Sequence, residues 1–274
     1  MLLGLLQLFR PLNLLLGAIS IVISASILEV ENPLIILQTA LVVVFLNAAA
    51  NAFNDYMDFE ADTINRPNRP LPKEKISKKS AIIATILLFV TGITLSAFLN
   101  RDAFIIVSLI TVPLMIAYSL WFKGWPLIGN IVVSLILGLA FIFAGVAFNN
   151  PWGLIVPALL AFGFTLLREL VKDIADLEGD RSAGLRTFPV LAGEEKSATL
   201  AVILTIVIGA GALAPYFLSL YGLNFLIILI FGIEFPLVYV LLILVKSPTI
   251  TNCKRIAQIL KACVFAGLLA VYLG

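Results

Sequence analysis

Residues Pro33–Pro72 read PLIILQTALVVVFLNAAANAFNDYMDFEADTINRPNRPLP. The run from Pro33 to Ala50 carries no charged side chain. As a helix rising about 1.5 Å per residue it crosses most of a hydrocarbon layer about 30 Å thick. Directly behind it stand Asp55, Asp58, Glu60 and Asp62, and then Arg66 and Arg69. A helix that fits lipid, ending in four carboxylates and two guanidinium groups, fixes both the fold class and the place to look for chemistry.

The rest of the chain repeats the first half of that pattern. Of 274 residues, 61% are hydrophobic and only 12% charged, with a mean hydropathy of +1.11. Soluble domains are about a quarter charged. Nine apolar stretches recur, at 12–28, 34–54, 80–99, 103–122, 127–148, 153–172, 198–218, 224–245 and 256–273. Turn-forming strings separate them, among them EVENP, NRD, KGWP, NNPWG and KSPT. Lipid admits only helices and closed barrels, and these stretches lack the alternation of barrel strands. The expectation is an all-α, polytopic membrane protein with nine transmembrane helices, residues 1–274 forming a single transmembrane domain. The first stretch has no basic start followed by a small-residue cleavage site, so it is read as mature structure. Cys253 and Cys263 are read as packing thiols.

The sequence contains no histidine. Chemistry must therefore rest on carboxylates, amides, Tyr, Lys and Arg, a set that suits hard cations such as Mg²⁺. With nine spans, the N-terminus and the loops after spans 2, 4, 6 and 8 share one side, and 17 of the 18 basic residues fall there, Arg101 being the exception. The positive-inside rule places that face in the cytoplasm of a multi-pass cell-membrane protein. Most of its lysines are explained by topology and by attraction to anionic lipid.

The acid cluster occurs twice. Asp55–Asp62 is DYMDFEAD and Asp173–Asp180 is DIADLEGD; both read D-x-x-D-x-E-x-D, 118 residues apart, each behind an even-numbered span. This is the trace of an internal duplication, two four-helix repeats with a ninth helix added. If each helix runs on beyond the membrane, Asn51, Asn54, Asp55, Asp58 and Asp62 lie within about a 100° stripe. Glu169, Asp173, Asp176 and Asp180 lie within about 60°. Carboxylates at a helix C-terminus face a partly negative end and repel one another. A divalent cation bridging the two stripes would offset that repulsion and attract a diphosphate. The alternative is a pair of solvated acidic loops screened by neighbouring Lys and Arg.

These strings resemble the UbiA superfamily of intramembrane prenyltransferases: NDYMDFEAD fits N-D-x-x-D-x-x-x-D and DLEGD fits D-x-x-x-D. The resemblance covers essentially the whole chain. It implies an isoprenyl diphosphate donor held through Mg²⁺ by Asn54, Asp58, Asp62, Asp173, Asp176 and Asp180, with Asp58, Asp62, Asp176 and Asp180 central to catalysis. Asp55 matches the motif with a less defined role, and Asn51 shares its stripe. The family's Tyr and Lys after span 4 correspond to Tyr118 and Lys123, one residue wider than Y-x-x-x-K; a snorkelling lysine is the alternative for Lys123. LFRPLNLLLGA, at the start of span 1, and the two motif segments are most like archaeal ether-lipid members. Those members transfer a geranylgeranyl group to the hydroxyl of geranylgeranylglyceryl phosphate. Arg66, Arg69 and Arg10 are then candidates for the acceptor's phosphate, since the guanidinium fork suits phosphate; topology and loop salt bridges are their other reading.

The expected partners are a prenyl diphosphate, a lipid-like acceptor and membrane lipid, with no nucleic acid and no obligatory protein partner. Three rivals remain. One is an aromatic, quinone-precursor or tetrapyrrole acceptor on the same scaffold. The second is a CDP-alcohol phosphotransferase, whose D-G-x-x-A-R string is missing from the chain. The third is a cation transporter, disfavoured because the acids sit at one membrane edge and not at the midplane. Glu234, inside span 8 and followed by Pro236, is read as structural as readily as functional.

Overall fold

The computed structural model describes residues 2–274, the side chains of Leu2, Ala61, Ile64 and Asn65 excepted; helices and turns account for all regular structure among the described residues. The chain forms two compact units, Met1–Trp121 with Leu139–Ile155, and Phe122–Gly138 with Val156–Gly274.

The first unit contains α1 (Leu2–Phe9), α2 (Pro11–Ile27), α3 (Pro33–Met57), α4 (Phe59–Asn65), α5 (Lys78–Ala97), α6 (Arg101–Ile105), α7 (Val112–Leu120) and the second half of α8 (Ile128–Ala147). The separator strings supply the caps. Asn32 accepts from the backbone N–H groups of Leu34 and Ile35, with Pro33 in the first turn. Ser77 and Asn100 do the same for α5 and α6. Helix α3 packs against α2 and α5, and glycine permits both approaches. A Cβ on Gly17 would lie 2.8 Å from the Asn47 amide, and one on Gly92 would lie 2.7 Å from Leu46. Below the first acid motif, Leu8, Ala52, Leu71, Ile76 and Ala81 form a buried cluster joining α1, α3, the loop after Arg69 and α5.

The second unit begins with the 3₁₀ turn Phe122–Gly124 and the first half of α8. It continues with α9 (Ile155–Ala175), α10 (Leu177–Ser182), α11 (Phe188–Ala192), α12 (Glu194–Phe217), α13 (Leu223–Leu229), α14 (Phe235–Lys246) and α15 (Ile250–Leu273). Gly138 brings α8 close to α9: a Cβ there would lie 3.0 Å from the Ala158 carbonyl. In both units hydroxyls within apolar helices are satisfied internally, as Thr39 by the Ile35 carbonyl and Thr205 by the Ala201 carbonyl.

Every predicted apolar stretch is helical, and seven described helices are long and apolar enough to cross a membrane. Helix α2, at 17 residues, is short for a span by itself. It follows α1 across a 53° bend, and counting that pair gives eight. Helix α9 carries four charged residues, Arg168, Glu169, Lys172 and Asp173, in its last turns.

Two helices are interrupted in the same way. A π-helical turn, Ile106–Thr111, joins α6 to α7, and another, Ile230–Glu234, joins α13 to α14. Each ends on a polar residue with a proline two positions later, Pro113 and Pro236. Proline lacks the N–H that would continue the ladder, which accounts for the widened turn. Thr111 Oγ1 and Glu234 Oε1 are both buried without a hydrogen-bond partner.

Candidate active site

The two acid motifs share a backbone feature that their spacing did not foretell. Helix α3 stops at Met57, Asp58 adopts φ −83°, ψ 2°, and α4 starts at Phe59. Helix α9 stops at Ala175, Asp176 adopts φ −101°, ψ 7°, and α10 starts at Leu177. The straight continuation expected past the membrane is therefore broken at the second aspartate of each copy. Backbone hydrogen bonds nevertheless bridge each break. Asp58 N donates to Asn54 O at 2.9 Å and Asp62 N to Asp58 O at 2.8 Å. In the second copy Asp176 N donates to Lys172 O at 2.8 Å and Asp180 N to Asp176 O at 2.9 Å. Negative side chains beside the negative end of a helix disfavour its last turn, which is the local reason for the break.

In the first unit Asp55 is an ion-pair hub. It is 3% exposed, and its Oδ1 accepts from Arg10 Nη2 at 2.5 Å and from Arg69 Nη1 at 3.0 Å. The same Arg69 nitrogen also donates to Asp62 Oδ2. Arg10 reaches Asp55 because it forms the corner between α1 and α2 in a left-handed conformation, φ 57°, ψ 73°. The following Pro11 bars the right-handed region, and the ion pair holds the strained corner. Asn51 donates to the Phe9 carbonyl at 3.1 Å, satisfying the end of α1. Ser119 on α7 donates to Asn54 Oδ1, which orients that amide. Tyr118 is half-buried on the same helix. Arg66 is exposed, and both Arg66 and Asp58 have interaction partners. Burial pushes the Asp62 carboxyl up from its ordinary 3.8; the Arg69 guanidinium pulls against this, and the charges of Asp58 and Asp55 add to the rise.

In the second unit Asn130 on α8 donates to Asp173 Oδ2 at 2.7 Å, and Thr187 donates to Asp180 Oδ2 at 3.0 Å. The Asp180 carbonyl accepts from Leu185 N, and Arg186 N donates to Gly124 O, so the loop after α10 is tied down beside the turn that bears Lys123. Glu169, one helical turn before Asp173, is buried between Arg168 and Lys172. Ser119, Asn130 and Thr187 were not singled out from the sequence. Asn130 had a signal, a lone amide in the apolar string IGNIVVSL.

The oxygen donors of Asn54, Asp58 and Asp62, and of Asp173, Asp176 and Asp180, fit a hard divalent cation in chemistry. Among the described residues no three carboxylate, thiol or imidazole side chains converge as a protein-only cage. Mg²⁺ is commonly held by one or two carboxylates while substrate phosphates and water complete its shell.

Residues 3–262 match the UbiA prenyltransferase family. The chain is 34% identical over 255 residues to digeranylgeranylglyceryl phosphate synthase of Methanosphaera stadtmanae, covering 93% of each chain. It superposes with a TM-score of 0.81 on a solved structure from work on digeranylgeranylglyceryl phosphate synthase in membranes, at 31% identity over 100% of this chain and 98% of that one. A UbiA homologue from Archaeoglobus fulgidus bound to DMAPP and Mg²⁺ shares the fold, with a TM-score of 0.69 at 19% identity, over 98% of this chain and 99% of that one. A family match across nearly the whole length, on an all-helical scaffold that writes its carboxylate motif twice, leaves one assignment: this chain is a multi-pass membrane protein of the UbiA prenyltransferase family.

Proposed function

We propose that the protein transfers a geranylgeranyl group from geranylgeranyl diphosphate to the hydroxyl of geranylgeranylglyceryl phosphate, giving digeranylgeranylglyceryl phosphate for ether-lipid synthesis. The observation that carries this reading is the D-x-x-D-x-E-x-D motif written twice, each copy interrupted at its second aspartate. The relatives' names supply the product, digeranylgeranylglyceryl phosphate; donor and acceptor are those that the family resemblance implies.

Asn54, Asp58 and Asp62 in one copy and Asp173, Asp176 and Asp180 in the other would hold Mg²⁺. When bound, the ion neutralises the diphosphate and makes it a better leaving group. Ser119 keeps the Asn54 oxygen oriented and Asn130 keeps Asp173 oriented, so both donors are set before substrate arrives. Asp55 anchors Arg10 and Arg69, so its part is to shape the site and not to bind metal. In the reaction the C1–O bond to the diphosphate breaks, and the acceptor oxygen bonds to C1 of the allylic cation. Its proton passes to a carboxylate of the first motif or to the departing diphosphate.

The finer architecture follows the same reading. Helix α9 counts as a span, giving nine, and residues 1–274 act as one prenyltransferase domain. The matched π-turns, with their prolines at 113 and 236, support two four-helix repeats. The basic residues around both motifs support a cytoplasmic orientation of those loops. Long prenyl tails stay among apolar helices, and no obligatory protein partner is required.

The test is purified protein with geranylgeranyl diphosphate, Mg²⁺ and a panel of acceptors, read by product mass. Turnover is expected with the prenylated glyceryl phosphate and not with aromatic or tetrapyrrole acceptors. Asp58→Ala and Asp176→Ala are each expected to abolish it without loss of cooperative unfolding. Near-wild-type turnover in either variant removes that residue from the metal site.

A further inference from the structure

The last turns of α9 carry a charge cluster that the metal reading leaves unused. Glu169 is buried and its two oxygens are held separately. Arg168 Nη1 donates to Oε1 at 2.8 Å and Lys172 Nζ to Oε2 at 2.6 Å. Lys123 is near enough to act on the same carboxylate. Arg168 and Lys172, four residues apart, share one side of the helix. Both side chains keep partial access to the outside, at 29% and 34%. Glu169 is thus one carboxylate shared between two bonded cations. Arg168 Nε is also buried with no hydrogen-bond partner. An unmet donor on a guanidinium is unfavourable where water is excluded and is met when an anion supplies an oxygen.

The cations of the first motif differ. Arg10 and Arg69 are paired with Asp55 and Asp62, charge for charge. They serve the carboxylates, and an incoming phosphate would have to compete for them.

We infer that Arg168 and Lys172, spaced by Glu169, form a subsite for a phosphomonoester dianion, and that in the proposed reaction this anion is the phosphate of the acceptor. Glu169 is a positioning residue: it fixes the ammonium on one oxygen and a guanidinium nitrogen on the other, leaving the Nε edge to meet a phosphate oxygen. The assignment to the acceptor rests on the proposed function; the anion site itself does not.

Two experiments on the full-length protein in uncharged detergent separate these points. The first is steady-state kinetics of Arg168→Gln. The KM for the phosphate-bearing acceptor is expected to rise about tenfold or more, the loss of a charge-assisted hydrogen bond, while the donor KM changes much less. Glu169→Gln is expected to raise the same KM. An equal rise for donor and acceptor assigns the cluster to the diphosphate and overturns the inference, and so does no rise.

The second is thermal unfolding with inorganic phosphate against chloride at matched ionic strength, and with phosphatidylglycerol as a phosphodiester comparison. Phosphate is expected to raise the wild-type midpoint and to lose that effect in Arg168→Gln. Equal shifts in both proteins, or a shift with phosphatidylglycerol alone, overturns the site. This readout needs no turnover, so it stands even if no phosphate-bearing acceptor is prenylated, an outcome that counts against the proposed function alone. Should Arg168→Gln unfold without a cooperative transition, Arg168→Lys decides both comparisons: it keeps the charge on Glu169 and removes Nε.

Discussion

Replacing Asp55 by Asn tests whether the first motif is held by ion pairs or only decorated by them. The side chain of Asp55 is 4% exposed and accepts from two guanidinium groups. A charge-assisted hydrogen bond contributes about 1.5–3 kcal/mol, and removing one partner of a buried pair costs more than the bond alone. Arg10 is 34% exposed, so solvent screens most of its share. Arg69, at 18%, keeps its bond to Asp62 in the variant. Asparagine retains the shape and one acceptor oxygen. The net loss is then about 2–3 kcal/mol. At about 2–4 °C per kcal/mol for a chain of this size, the midpoint falls by about 4–12 °C. Thermal unfolding in uncharged detergent, followed by tryptophan fluorescence, reads this directly. Double-mutant cycles add a second number: Asp55 should couple more strongly to Arg69 than to Arg10, because the Arg69 pair is the drier one. A variant unfolding within about 1 °C of wild type, or a stronger coupling to Arg10, would show that the hub contributes nothing and that the left-handed corner at Arg10 is held by something else.

Four other outcomes follow from the same geometry. Ser119→Ala releases the Asn54 amide; one neutral hydrogen bond is worth about 1 kcal/mol, so the Mg²⁺ concentration for half-maximal turnover should rise about fivefold in a metal titration. Asn130→Ala removes the donor to Asp173 and should raise the Mg²⁺ requirement at least as much, the freed carboxylate reorienting toward bulk water. The folded state holds the Asp62 proton more tightly than the unfolded chain does, so its contribution to stability is complete below its ordinary 3.8 and is lost as pH rises through the raised value. That proton also competes with Mg²⁺, so the Mg²⁺ requirement should climb on acidification at a higher pH than an ordinary aspartate dictates, and Asp62→Asn should remove the stability component from the pH profile of unfolding. Glu234→Met keeps the length of a side chain whose Oε1 is buried without a partner and whose Oε2 lies where a Cβ on Gly209 would come within 3.1 Å. Deleting the unmet oxygen should raise the midpoint by about 2–4 °C per kcal/mol regained; a fall would mean that the acid has a partner in the membrane.

What the sequence disclosed and what it hid divide along one physical line. Each apolar stretch became a helix near its expected limits because lipid thickness sets the length, and the caps at Asn32, Ser77, Asn100 and Thr249 lie within the separator segments. The doubled motif is legible in the sequence because its spacing is local. The partners were not local. Arg10 meets Asp55 across 45 residues, Ser119 meets Asn54 across 65 and Asn130 meets Asp173 across 43. No helical period encodes such contacts. They arise when helices pack, and they add contacts that the sequence did not show: Asp55 pairs with Arg10 and Arg69, Asn51 donates to the Phe9 carbonyl, and Arg69 bonds two carboxylates.

The breaks at Asp58 and Asp176 lie between these extremes. Neither has glycine or proline to announce it, so a period-based reading runs straight through. Yet both copies break at the same position, and the shared cause is electrostatic. The last carbonyls of α3 and α9 point toward the aspartates that follow, and turning the chain at the second aspartate separates like partial charges. The turn carries the third aspartate, Asp62 or Asp180, onto a new short helix. There it is held by a neighbour outside the motif, Arg69 in one copy and Thr187 in the other. The two holders differ in charge. A carboxylate already neutralised by arginine yields to a cation only when that arginine finds another anion, and an arriving diphosphate supplies one. Metal binding at the first motif should therefore depend on diphosphate. Mg²⁺ should protect the wild-type protein against thermal unfolding more when diphosphate is present than when it is absent, and Asp62→Asn should reduce that diphosphate-dependent share; equal protection with and without diphosphate would refute the exchange at Arg69.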